Sequence, residues 1–338
     1  MWHTAHLLTN FNLLRIRWVK ITQLRSLIHL IRFRFLSTFA KLGVSSSDTK
    51  GGISKAVKIV TDSTSDLPAA MASEYGIEVV PLNVHFGDSV FKDGVDITTD
   101  QFFDRLINGD EFPSTSQPSM GEFVEAYERI SEEGDEVVSV HLSSKLSGTY
   151  NSAEQASKHL EDKIKIHLVD TEQVTITVGF AAIAAAKVAS NGGSAEDAVE
   201  AARSISARSS FYALFDTLEF LAKGGRIGRA QSMLGSLLKI RPLLMLDNGV
   251  VEPYSKARSR SAGMAELEKA VRSLGKAEEI AIMYSTESDE AHGIADTLGD
   301  MLPEGKHPLV SRVGPVIGTH AGPRLIAVGH VSNAPEES

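Results

Sequence analysis

Short β-branched runs alternate with amphipathic stretches along most of the chain. VKIV (57–60) reads as a buried strand ending in the polar turn TDSTSDLP, LPAAMASEYG as a helix closed by Gly76, and IEVVPLNVHF (77–86) as a second strand region. After the loop GDSVFKDGVDIT, TTDQFFDRLING carries apolar residues at helical spacing. FPSTSQPSM reads as a turn-rich connection, and GEFVEAYERISEEG as an amphipathic helix with a glycine stop. VVSVHL (137–142) is a strand, TYNSAEQASKHLED a helix and IKIHLVDT (164–171) a strand, with two helices expected around 175–191 and 195–207. Strands alternating with helices of 10–15 residues imply parallel βαβ units.

The second half has a different rhythm. FYALFDT (211–217) resembles a strand and leads into a helix that runs to KGGRIG; another helix is expected before IRPLLMLDNGVVEPYS. There Asp247-Asn248-Gly249 between two apolar runs is a strong hairpin signal. Helix 258–274, strand 280–285, helix 288–300 and strands 308–313 and 324–330 complete the pattern. The fold expected is α/β in two domains, with a ligand site between them. A Rossmann-like parallel-sheet domain spans 57–208, and a mixed α/β domain spans 209–332.

Charge divides the 338 residues unevenly. Residues 1–52 hold eight Lys/Arg and one acid, Asp48, which leaves 26 basic against 42 acidic side chains in 53–338, a net −16. A body that acidic argues against general nucleic-acid binding, which depends on neutralising phosphates. The basic leader, closed by the Ser/Gly-rich GVSSSDTKGG (43–52), is expected to be an extension outside the fold, either disordered or the product of a start placed upstream of Val57. A targeting peptide or a surface-binding helix are the other readings. Its apolar runs are broken by Arg or Lys every few residues, so none spans a membrane. With no cysteine, disulfides, thiolate catalysis and Cys-bound zinc are excluded.

Three hydroxyl-rich turns lie at strand ends or in loops beside them: TDSTSD (61–66), STSQPS (114–119) and SSKLSGT (143–149). In open parallel sheets ligands bind beyond the carboxyl ends of the strands, where hydroxyls and helix N–H groups favour an anion. Each turn alone reads equally as helix capping, with Asp66 placed to cap the first helix. A nucleophilic Ser147 is the sharper rival, although K-L-S-G-T is not the G-x-S-x-G elbow and no spacing marks a triad. A nucleotide site lacks the P-loop pattern, GGRIGR (224–229) being only a loose glycine match. Lys223, Arg226, Arg229, Lys239 and Arg241 form a local basic cluster, either a solvated helix face or a docking patch.

Six motifs in fixed order carry a resemblance: VTDSTSDLP (60–68), STSQPS, SSKLSGTYNSA (143–153), LEFLAKGGRIG (218–228), KARSR (256–260) and GPVIGTHAGP (314–323). Together they closely resemble the DegV family over residues 57 to 330. The resemblance implies a protein that binds one long-chain fatty acid between two domains, without cofactor or catalysis of its own, as the cytoplasmic binding subunit of a fatty acid kinase. The partner subunit would supply ATP and Mg²⁺ and make the acyl phosphate used in phospholipid synthesis. The family pattern assigns the carboxylate to Thr115, Ser147 and His320, with Ser63, Ser116, Ser144, Gly148, Thr149 and Arg324 nearby and Arg226 and Lys223 at the docking surface. Ser147 as an esterase nucleophile, and a carrier or sensor independent of any kinase, stay open beside it. Arg324 departs from the pattern, which commonly has glycine there; it would alter local backbone geometry or bring a cation toward the carboxylate.

Overall fold

In the computed structural model, which describes residues 56–335 and only the backbone of 235–239, the alternating pattern becomes two large sheets and one small one. The leader 1–52 lies outside the described residues. β1 (Val57–Asp62) and β2 (Ile77–Val80) are followed by an antiparallel excursion of β3 (Asn83–Phe86), β4 (Ser89–Lys92) and β5 (Ser114–Ser116). β6 (Glu136–His141) and β7 (Lys165–Asp170) then complete a parallel sheet in the order β2-β1-β6-β7. β8 (Ser209–Leu214), β9 (Arg241–Asp247), β10 (Val250–Ala257), β11 (Ala277–Tyr284), β12 (Leu309–Arg312) and β13 (Ile326–Ser332) form a mixed sheet in the order β10-β9-β8-β13-β11-β12.

The connecting helices are α1 (Ala69–Glu74), α2 (Thr99–Asn108), α3 (Met120–Ile130), α4 (Thr149–His159), α5 (Ile176–Ser190), α6 (Ala195–Arg208), α7 (Glu219–Lys223), α8 (Arg260–Arg272), α9 (Ser288–Leu298) and α10 (Pro315–Ala321). Strand alternation sorts side chains between layers. On β6, Val138 and Val140 enter a central cluster while Val137 packs outward with Phe123 and Tyr127 of α3. On β8, Phe211 and Ala213 join the same central cluster, whereas Tyr212 and Leu214 face a third cluster with Leu267 of α8 and Ile294 of α9. α5 fills the middle: ten of its fifteen residues are buried, so it is apolar all round rather than amphipathic.

Three expectations change. FPSTSQPSM contains β5, which pairs with β3 through Thr115 opposite Val84, and the GDSVFKDGVDIT loop contains β4. The segment before IRPLL is a 3₁₀ run, Gly228–Lys239, rather than an α-helix. Asp66 does not cap α1, whose N-cap is Pro68; its Oδ1 accepts the backbone N–H of Gly314 at 2.8 Å, at the start of α10. The hairpin expected at Asp247–Gly249 is present, with Asn248 and Gly249 both at positive φ, 47° and 74°, as a type I′ turn requires.

α10 is short and held from all sides. Asp66 takes Gly314 N–H, and Asp93 takes the N–H of Val316 and the hydroxyl of Ser63. A Cβ on Gly318 would stand 2.7 Å from Phe102 Cε1 and 2.8 Å from Phe103 Cζ, so only glycine lets the helix lie on these two buried rings. Gly318→Ala should therefore destabilise the fold by ~1–3 kcal/mol through overpacking, read as a lowered urea midpoint with unchanged slope; a midpoint unmoved within error would contradict the close fit.

Burial pushes Asp93 up to about 7, with Ser63 and the Val316 N–H opposing and Asp62 adding to the rise; burial raises Asp66 as well. A carboxyl whose folded pKa lies above its unfolded value holds a proton that the unfolded chain releases. Its stabilisation is complete below pH ~4 and is lost as pH rises through about 7. Asp93→Asn should flatten the decline in unfolding free energy between about pH 4 and 7, and identical profiles for the two proteins would refute the assignment.

Candidate functional site

The parallel strand order reverses between β1 and β6, and the turns leaving their carboxyl ends face the mixed sheet across a cavity. Its wall is mainly apolar: Leu82, Leu142 and Leu146 on one side, Phe211, Phe215 and Leu244 on the other. Polar groups in the wall come from the hydroxyl-rich turns and from α10, with Thr175 and Arg226 beside them.

Thr115 and His320 are brought together across 205 residues: Thr115 Oγ1 lies 2.8 Å from His320 Nε2. β5 fixes the threonine through its pairing with β3, and the last turn of α10 carries the histidine. Burial, with the positive charge of Arg226 adding to it, lowers His320 to about 4, so the ring is neutral at pH 7. His320 Nδ1 is buried without a hydrogen-bond partner, packed so closely on Gly224 that any Cβ there would collide with it. A bare ring nitrogen is tolerated in that setting better than an orphaned N–H, so we assign the proton to Nε2. His320 then donates to Thr115 Oγ1, and the threonine hydroxyl proton is left to donate into the cavity.

Ser147 lines the same cavity, but its hydroxyl is engaged locally: Oγ is 2.9 Å from Thr149 Oγ1 and accepts the Thr149 N–H at 3.3 Å. Among the described residues no histidine is hydrogen-bonded to it; its partner is Thr149. The 143–147 turn is locked from outside by Ser143 Oγ, which donates to Gly249 O of the hairpin at 2.8 Å. Ser116 lines the cavity and pairs with His85 Nε2 at 2.9 Å. Ser63 does not line it: its hydroxyl donates to Asp93 Oδ2 and accepts from Leu82 N–H. Thr149 is buried behind Ser147. Ser144 and Gly148 line a second, adjoining cleft. Thr64, Gln117 and Thr175 also line the main cavity and were not singled out from sequence. Gln117 lies within the STSQPS motif, whereas nothing in the local pattern marks Thr175.

Arg324 has φ 63°, which is the glycine-like backbone, and its N–H donates to Thr286 Oγ1 at 2.9 Å. Its guanidinium lies among Asp216, Glu287 and Glu290 at 3.5–3.9 Å and is not part of the cavity wall. Lys223 is exposed, pairs with Glu219 and lies over the ring of Phe112 at 4.5 Å, while Phe112 stacks on Phe220. Arg229 pairs with Glu252 and Arg241 with Asp216, so these residues do not add up to a patch of free cations; the side chain of Lys239 lies outside the described residues. Arg226 is half-buried in the wall of both cavities.

Among the described residues one set could suit a metal ion, Glu136, His167 and Glu196, whose ligand atoms lie within 4.8 Å of one another. Glu136 and Lys165 open β6 and β7, at the end of the sheet away from the cavity, and Lys165 already bridges Glu136 and Glu196. No described helix is long and apolar enough to cross a membrane.

A family model for uncharacterised proteins of the DegV family matches residues 56–333. A DegV domain-containing protein of Streptomyces coelicolor is 42% identical over 279 residues, covering 82% of this chain and 98% of its own. A DegV family protein from Thermus thermophilus, whose structure is described as fatty-acid binding, superposes with a TM-score of 0.76 at 35% identity, covering 82% of this chain and all of that one. DegV of Bacillus subtilis, described as a fatty acid binding protein, gives 0.75 at 31% identity, covering 83% of this chain and all of that one. The chain belongs to the DegV family.

Proposed function

We propose that the protein binds a long-chain fatty acid, with its acyl chain in the apolar cavity and its carboxylate at Thr115, Ser147 and His320. The observation that carries this reading is the coexistence, in one wall, of an extensive apolar lining and the hydrogen-bonded pair of Thr115 and neutral His320. A carboxylate buried without donors would be costly. The tail offsets that cost: at ~0.8 kcal/mol per CH₂, sixteen carbons contribute on the order of 10 kcal/mol before association costs. Fatty-acid binding is also the property described for the related Thermus and Bacillus proteins.

We further propose, on the family resemblance, that the carboxylate is presented to a separate ATP-binding kinase subunit, which would supply Mg²⁺ and form the acyl phosphate. The engagement of Ser147 by Thr149 weighs against a stand-alone esterase.

Native mass spectrometry of the purified chain should find one fatty acid per chain. Thr115→Ala and His320→Ala should each weaken binding about tenfold or more, the scale of a lost hydrogen bond to a charged group. A chain that stays empty in the presence of palmitate would overturn the reading, as would ester turnover abolished by Ser147→Ala. The kinase step predicts ATP consumption by the partner subunit only when this protein and a fatty acid are both present.

A further inference from the structure

Thr175, the residue before α5, lies in the wall of the main cavity outside the set of Thr115, Ser147 and His320. Among the described residues, two of the buried side-chain polar atoms that lack a hydrogen-bond partner belong to this wall, His320 Nδ1 and Thr175 Oγ1. The first is packed against Gly224. The second sits on a residue only 1% exposed, in a lining that also includes Leu142, Val174 and Phe211.

Thr175 has the residue type and the position of a helix cap, and it does not cap. Thr98, Ser119, Ser194 and Ser259 precede α2, α3, α6 and α8 with extended backbone, and each accepts an N–H of the helix it begins. Thr175 instead has φ 53° and ψ −140°, and its hydroxyl makes no capping bond to α5. A β-branched residue at positive φ is strained and persists only where its surroundings hold it. Here the turn is fastened on every side. Thr171 Oγ1 donates to His141 O at 2.8 Å, the Ser143 N–H to Gln173 O at 2.9 Å, and Thr177 Oγ1 to Val174 O at 2.6 Å. The fold thus keeps a strained backbone and an uncapped helix start at one residue, and the hydroxyl released from capping is left at the cavity wall. A buried hydroxyl without a partner is unfavourable; a ligand in the cavity is placed to supply one.

We propose that Thr175 forms a second polar subsite of the acyl cavity and recognises a hydroxyl group carried on the chain of the bound fatty acid; the proposal rests on the fatty-acid reading. One neutral hydroxyl does not offset the burial of a charge, so the group it takes is uncharged. The positive end of the α5 dipole favours an oxygen there. Strand order sets where on the chain that oxygen falls. In β2-β1-β6-β7 the turn carrying Thr175 leaves β7, the edge opposite β2, and β2 is the strand that runs on to β3 and its partner β5 with Thr115. β1 and β7 are two strand spacings apart, ~10 Å. The recognised hydroxyl therefore lies in the interior of the chain and not beside the carboxylate.

The test is competition binding of stearate and a series of monohydroxystearates, the hydroxyl moved stepwise along the chain, on the full chain and on Thr175→Val. Valine keeps the β-branched shape and removes the hydroxyl. In the wild type one interior isomer should bind at least as well as stearate, while isomers hydroxylated elsewhere in the interior bind about tenfold or more weaker, because an oxygen set against apolar lining lacks a partner. Thr175→Val should weaken the favoured isomer about three- to tenfold relative to stearate, and Thr175→Ser should preserve its advantage. If the valine variant fails to fold, the wild-type series decides alone: an equal loss at every interior position overturns the subsite. Relative affinities unchanged by Thr175→Val also overturn it and leave the hydroxyl as a site for a bound water only. If stearate binds and no isomer is favoured, the fatty-acid reading stands and the subsite falls; if neither stearate nor any isomer binds, both fall.

Discussion

The contact on which the site depends is the hydrogen bond between Thr115 and His320, because it joins parts of the chain that share no strand pairing. Thr115 belongs to a three-residue strand of the small sheet, and His320 to a two-turn helix that precedes the last strand of the mixed sheet. A bond at 2.8 Å tolerates little displacement of either partner, so both supports must be stiff. On one side that stiffness comes from pairing with β3. On the other it comes from close approach: Gly318 lies on Phe102 and Phe103, Gly322 on the Phe220 ring, and Gly224 on the imidazole itself. Asp66 and Asp93 hold the opposite end of the helix, and both belong to segments following strands of the first half. α10 is thus fastened to the first half of the chain at its start and at its end, with the acyl cavity along its length.

The price of this seating is a set of buried polar groups, some matched and some not. Asp62, His141, Ser139 and Tyr127 form an internally satisfied chain between β1, β6 and α3. It stiffens the strands whose ends carry the turns, and it uses none of its groups on the cavity except through Thr64, whose hydroxyl is turned back onto Asp62. Asp66 Oδ2 and His320 Nδ1 have no partner. For both residues burial favours the neutral form, the protonated acid and the unprotonated imidazole. The helix that carries His320 therefore has an uncharged ring at one end and acids whose ionisation burial disfavours at the other.

Strand and helix alternation was legible because buried β-branched runs and Gly stops leave a strong periodic signal, and β6, α4, β7 and the β9–β10 hairpin lie close to where the pattern puts them. β5 was not legible: Ser114–Ser116 has no apolar residue, and it is a strand only because β3 offers it a partner. The 3₁₀ run after α7 has apolar residues that periodicity alone assigns to an α-helix. At the site, family motifs pointed to Thr115, Ser147 and His320, and all three line one cavity. What the motifs cannot resolve is which hydroxyl is a ligand and which a cap. Ser119 ends the STSQPS motif yet serves α3, its Oγ accepting the N–H of Glu122 in a capping box. Ser63 ties the first turn to Asp93, and Ser147 contacts the start of α4 while facing the cavity. One residue type suits all three tasks because a hydroxyl donates and accepts without bringing charge.

Charge enters the main cavity at one residue. Thr115, Ser147 and the neutral ring of His320 bring no net charge to its wall, and Arg226 is the charged side chain that lines it. Beyond it, arginines in the second half are spent on structure: Arg241, Arg260 and Arg324 converge on Asp216, and Arg260 and Arg324 also share Glu290. Arg324 thereby gains ion pairs that no glycine could make, in return for a left-handed backbone that costs an ordinary residue about 1 kcal/mol. Arg226 is treated differently. Its neighbours Lys223 and Arg229 are each given a glutamate, and it is given two carbonyl oxygens instead. In a chain with so many carboxylates to spare, withholding one from a shielded guanidinium leaves its field directed at the neutral histidine and at whatever occupies the junction of the two cavities. Burial is the larger cause of the low pKa of His320 and the unpaired guanidinium adds to it, so the ring in the cavity wall is kept neutral by two effects that act in the same direction.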